Sequence, residues 1–239
     1  MENYLEINYE NNIKILSLAY KYCQEKFLHD EIIEILSGDD DIKKQLCLIE
    51  LDCVNSQKEA DILVWNLTGK SGPVRETASF KILDLISQTE FKNFFQTKEI
   101  LNTFVKSITD INPSVSRNAI EFIKYVDDYK YLYNEILKEI KITLSNIDET
   151  SKNRSYVQNK KNFNLYWNLE ALASISDKVI PTSELQRLLV KTALSNDYTI
   201  REKTAKVAYS FSLKNNNFKK IIELLKDDNN IYVKKFVDE

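Results

Sequence analysis

Apolar residues recur three and four positions apart along almost the whole chain, the spacing that gathers them on one face of an α-helix. Phe218, Ile221, Ile222 and Leu225 make one such stripe. Leu132, Ile136, Ile140 and Leu144 make a second, and Leu101, Phe104, Val105 and Ile108 a third. No stretch alternates with period two for long enough to predict a strand. The stripes break at 37–41, 69–73, 110–113, 148–159, 177–181, 196–197, 215–217 and 227–230. Those breaks are rich in Ser, Asp, Asn, Gly and Pro, the residues that cap helices and turn chains. The pattern predicts an all-α protein.

After several breaks the chain repeats a phrase: turn residues, a β-branched residue, a basic residue, then a small residue about one helical turn later. GPVRETA (72–78) carries it on Val74, Arg75 and Ala78. NPSVSRNA (112–119) carries it on Val115, Arg117 and Ala119, and NDYTIREKTA (196–205) on Ile200, Arg201, Thr204 and Ala205. DDDIKKQL (39–46) and DDNNIYVKK (227–235) are weaker copies, anchored on Ile42 and Val233. The anchors at 42, 74, 115, 200 and 233 lie 32, 41, 85 and 33 residues apart. The long gap contains one further helix, NLYWNLEALASIS (164–176), and counts as two units. A period in the thirties to forties with two helices per unit is the mark of an α-solenoid. Six of the nine alanines (78, 119, 171, 173, 205 and 208) fall in the second helix of a unit, where small side chains let stacked helices approach closely.

These phrases, together with LEALASIS (169–176), resemble the HEAT-repeat (armadillo-like) family over residues 39–239. The resemblance implies a right-handed α-solenoid of about five to six helix pairs. Residues 1–239 would form a single domain, with 1–38 an atypical capping unit in which Tyr4, Tyr9, Tyr20 and Tyr22 cover the first layer. It also implies a structural ladder between layers, in which Asp197 pairs with Arg201 and Arg75 and Arg117 take part. Two departures from the family pattern stand out: Arg117 lies one place late, and the first unit has Lys43 where an arginine is expected.

Composition narrows the chemistry. Three glycines and three prolines in 239 residues agree with helices joined by polar loops. A net charge of −3 and a pI near 5.5 count against nucleic acid as the main ligand, because phosphate binders are usually basic. The acidic, polar start MENYLEINYENN is unlike a secretory leader. No stretch approaches the roughly 20 apolar residues that cross a bilayer, so no membrane partner and a cytoplasmic location are expected. Cys23, Cys47 and Cys53 read as buried free thiols. His29 is the one histidine. It reads as a capping or surface residue with nothing in sequence to pair it. Gly38, Gly69 and Gly72 fit no phosphate loop. Neither metal nor cofactor is expected, and catalysis is disfavoured.

One segment stands apart. SKNRSYVQNKKNFNLYW (151–167) carries Lys152, Arg154, Lys160 and Lys161 without a carboxylate, interleaved with Tyr156, Phe163, Tyr166 and Trp167. Its first part reads as the longest irregular connection, and such loops often carry function. A basic, aromatic surface suits phosphates, bases or an acidic protein; the alternative is a solvated linker followed by a core helix. Trp167 and Glu170, one turn apart, also resemble the aromatic and carboxylate pair of AlkD-type alkylpurine DNA glycosylases. That resemblance implies a carboxylate facing a cationic damaged base, with Arg201 as a phosphate contact. In that family the carboxylate is an Asp at slightly different spacing. The leading expectation is a non-enzymatic binding module that holds a protein partner on a concave surface. Nucleic-acid binding or base excision is the alternative.

Overall fold

A computed structural model describes residues 14–15, 27–145 and 154–237. Among them every regular element is helical, and they group into two compact units, Met1–Thr103 and Phe104–Glu239. Tyr4, Tyr9, Tyr20, Tyr22 and Cys23 lie outside the described residues, as does Lys152.

In the first unit the helices are α1 (His29–Ser37), α2 (Asp41–Glu50), α3 (Gln57–Trp65) and α4 (Gly72–Ser87), followed by a 3-10 turn at Lys92–Phe95. Each start has a local cause. The Asp40 side chain accepts from the backbone N–H groups of Ile42 and Lys43, and Ser56 accepts from Glu59. Pro73 sits in the first turn of α4, where its missing N–H has no intrahelical partner to lose. α2 packs along α4, and α1 packs on α2 and α3. Leu36, Leu48, Leu63, Ile82, Leu85 and Ile86 are wholly buried.

α5 (Lys98–Ser107) runs into the second unit, which continues with α6 (Pro113–Phe122), α7 (Tyr129–Ser145) and α8 (Arg154–Ser174). It ends with α9 (Ser183–Ala193), α10 (Tyr198–Ser212), α11 (Lys219–Leu224) and α12 (Ile231–Lys234). α8 packs on its own pair-mate α7 and on the second helices before and after it, α6 and α10. α10 likewise packs on α8, α9 and α12. Ala119, Ala171, Ala205 and Ala208 are wholly buried, as expected of residues that set close helix approach. Phe104 and Phe122 meet with ring centroids 4.8 Å apart, and Phe211 meets Phe218 at 5.5 Å.

The repeated phrase folds into a repeated turn. Before α6, α10 and α12 the capping residue donates its backbone N–H to a side chain two positions back: Asn112 to Asp110, Asp197 to Ser195, and Asn230 to Asp228. Each cap side chain then accepts from the N–H two positions on, at Ser114, Thr199 and Tyr232. One such cap contributes about 1 kcal/mol. Val74, Val115, Ile200 and Val233 are buried anchors, whereas Ile42 is only half-buried.

The ladder differs from the expectation in its partners. Arg75 donates to the carbonyls of Gly69 and Lys70, and Arg201 donates to those of Ser195 and Asn196, the same offsets of six and five residues. The carboxylate that Arg201 hydrogen-bonds is Asp228 of the following turn and not Asp197, which caps α10. Arg117 is exposed because its one-place shift turns it outward. The Ser116 hydroxyl takes the carbonyl six residues back, on Asp110. In the first unit Lys44, not Lys43, holds the buried basic position, with its ammonium 4.5 Å from the Trp65 ring centre.

Helix breaks also appear where none was expected, at 51–56, 88–97 and 123–128. Each ends on a capping residue (Ser56, Thr97 or Asp128) that accepts from the N–H three positions on.

Candidate functional site

The segment 151–167 does not keep, from Arg154 onward, to the irregular first part expected from its polarity. From Arg154 onward it is the first part of the 21-residue α8. Its lysines and aromatics are therefore placed by helical periodicity. Asn164, Leu165, Asn168, Leu169 and Leu172 turn inward or partly inward, with Leu169 and Leu172 wholly buried. Tyr166, Glu170, Phe163 and Trp167 share the opposite, half-buried side, and Lys160 is exposed at its edge. Lys161 is half-buried. Of Arg154 and Tyr156 only the backbone is described.

Trp167 does pair with aromatics, but edge to face. Its ring centroid lies 5.3 Å from that of Tyr166 and 6.3 Å from that of Phe163, with interplanar angles of 85° and 68°. Such T-shaped contacts suit a packed cluster.

Glu170 is engaged by α10. Lys206 hydrogen-bonds its Oε1, and the Lys203 ammonium lies 3.1 Å from Oε2. The same ammonium stands 4.7 Å from the Tyr166 ring centre. Burial works to raise the Glu170 carboxyl, but the Lys206 hydrogen bond and the two lysine charges outweigh it and hold it below the usual range. Burial lowers Lys203, and Glu170 more than offsets that, so this ammonium is raised. A carboxylate neutralised by two ammonium groups has little field left for a cationic base. Arg201 is likewise committed, to Asp228 and two carbonyls, and does not stand free as a phosphate contact. The geometry does not reproduce the pair that the glycosylase resemblance implies.

Sequence reasoning missed the α10 side of this cluster. Lys203 and Lys206 were legible as an i, i+3 pair two places after Arg201, the spacing that puts both on one helical face. Asn162 also joins α8 to α10, donating its amide to the Asp197 carboxylate at 2.6 Å. Further along, Tyr198 and Tyr232 stack at 6.4 Å and 26°, and both are exposed.

His29, which sequence left unpaired, opens α1 and is tied on both ring nitrogens. Nε2 lies 2.9 Å from Glu59 Oε2 and 3.0 Å from the Asn55 amide, and Nδ1 lies 3.9 Å from Cys53 Sγ. The Glu59 carboxyl, raised by burial, is brought below its usual range by the Asn55 N–H and His29. These bonds join α1 to α3 and to the turn before it. Cys47 is buried as expected, and burial pushes its thiol up to about 11. Cys53 is only half-buried. Among the described residues no group of three His, Cys, Asp or Glu side chains could hold a metal ion. No helix there is long and apolar enough to cross a membrane.

No protein-family model matches the chain, and no curated protein does. Solved structures do. A designed armadillo repeat protein in complex with the peptide (KR)4 is 16% identical over 89% of this chain and 97% of its own, with a TM-score of 0.51. A second designed armadillo repeat protein is 16% identical over 88% and 97%, with a TM-score of 0.48. The fold is an armadillo/HEAT-like helical repeat.

Proposed function

We propose that the chain is a non-enzymatic binding module that holds an extended segment of a protein partner across its second helices, chiefly α8 and α10. The observation that carries this reading is the cluster of Tyr166, Glu170, Lys203 and Lys206. It is a half-buried band of aromatic and polar groups whose charges are mutually satisfied. Such a band suits recognition, because its side chains are held in place and a ligand meets an ordered surface. It does not suit proton transfer, since Glu170 is held ionised and Lys203 is held protonated. The designed armadillo protein of the same fold is in complex with a peptide, which supports a peptide as the kind of ligand.

The test is a peptide-display selection on the full chain, counter-selected on a Tyr166→Ala variant. Sequences captured by the parent and lost on the variant are expected. Binders indifferent to the variant, or turnover of a small molecule or nucleic acid by the purified protein, would overturn the reading.

A further inference from the structure

If α8 and α10 form a peptide-binding face, as proposed above, the charges around them bear on the chemistry of the peptide. Resting on that reading, we propose that the second-helix face of residues 104–239 selects acidic segments, with a carboxylate at about every third position.

The first observation is a charge division along the chain. Residues 1–103 hold 11 Lys and Arg against 18 Asp and Glu, whereas residues 104–239 hold 22 against 18. A net charge of −3 therefore conceals a basic second unit. Within it, α6, α8, α10 and α12 carry eight basic side chains and three acidic ones.

The second observation is where those three acids go. Glu121 pairs with Lys124, Glu170 with Lys203 and Lys206, and Glu202 lies 3.5 Å from Lys203. Each is already satisfied from within the chain. Arg117 on α6 and Lys160 on α8 are exposed and make no ion pair among the described residues. An arriving ligand thus meets uncompensated positive charge and no uncompensated carboxylate on these helices. A basic peptide such as (KR)4, which the designed armadillo protein binds, would meet like charge here.

Spacing favours a peptide over a polyanion. Packed helices lie about 8–10 Å apart, and an extended chain advances roughly 3.3 Å per residue, so every third side chain of a peptide crossing the helices meets the next one. A nucleic acid carries charge at every phosphate and gains affinity from a dense row of cations. Here the free cations Arg117 and Lys160 stand one each on α6 and α8, and the α10 lysines are neutralised against Glu170.

The experiment measures fluorescence anisotropy of labelled (EYS)4, (KYS)4 and a 20-base-pair duplex DNA with the full-length protein at low and physiological salt. The expected result is that (EYS)4 binds about tenfold or more tighter than (KYS)4, and that added salt weakens it. Lys160→Glu and Arg117→Glu should each weaken (EYS)4 by about three- to fivefold. Circular dichroism melts should leave both variants folded, because both side chains are exposed.

Equal or tighter binding of (KYS)4, or affinity unchanged in both charge-reversal variants, overturns acid selectivity. If (KYS)4 then loses affinity in Tyr166→Ala, the peptide-binding reading survives that failure. If neither peptide binds, both readings fall. Tighter binding of duplex DNA than of (EYS)4 also overturns the proposal, in favour of a phosphate ligand.

Discussion

Residues 1–103 and 104–239 use the same device to start a second helix, and they differ in what surrounds it. In both, an arginine just beyond a buried Val or Ile reaches back to carbonyls six and five residues earlier. Arg201 holds Asp228 of the following turn as well, which makes its cap a tie between successive helix pairs. Around this shared scaffold the first unit is acidic and the second basic. Scaffold and surface thus vary independently, and recognition is to be sought in the surface.

The comparison can be broken most sharply at Arg201. Removing it takes away a two-pronged bond to a carboxylate and leaves Asp228, whose side chain is 6% exposed, without its partner. Arg201→Ala should therefore cost about 2–3 kcal/mol, read by urea unfolding. A loss under about 0.5 kcal/mol, the range of an ordinary surface change, would remove the tie. Arg75→Ala should cost at least about 1–2 kcal/mol, from the two carbonyl bonds of the kind Arg201 also makes. Arg117→Ala should fall within about 0.5 kcal/mol, as at other surface positions. If Arg117→Ala matched Arg75→Ala, the exchange of Arg117 for Ser116 in the turn would be wrong.

A smaller effect concerns pH. The Arg201 hydrogen bond holds the Asp228 carboxyl low, and lysine contacts hold Glu170 low against its burial. A carboxyl whose folded pKa is depressed contributes stability above its unfolded pKa and loses it as pH falls through the folded value. Unfolding free energy should thus be level above about pH 5 and decline below the ordinary carboxyl range near pH 4. Asp228→Asn should flatten part of that acid limb. An unchanged slope in this variant would show that the pair contributes nothing on folding.

Much of the architecture was legible because it rests on local rules. The stripes at Leu101–Ile108 and Phe218–Leu225 are largely buried, and the anchors Val74, Val115, Ile200 and Val233 fell where the phrase put them. What misled was composition without context. The run at 151–159 reads as a linker from its polarity, yet from Arg154 it opens α8: residues 157–160 are exposed, and the helix is anchored on α7 and α10 further along, by Leu165, Leu169 and Leu172. Which Asp meets Arg201 was not legible either. Asp197 is four residues away in sequence, but its oxygens already cap α10 and hold Asn162. That leaves Asp228, 27 residues on, to fold back to the guanidinium. Half of the candidate face was invisible for the same reason. Glu170 and Trp167 are neighbours in sequence, whereas Lys203 and Lys206 reach Glu170 only through packing between helices.

Whether the second-helix face of the second unit takes the peptide can be read directly by hydrogen exchange on the full-length chain, with and without saturating (EYS)4. Added protection is expected in α8 and α10, with residues 29–87 unchanged. Protection confined to the first unit, or none at a peptide concentration where anisotropy shows full binding, would contradict a binding face on α8 and α10.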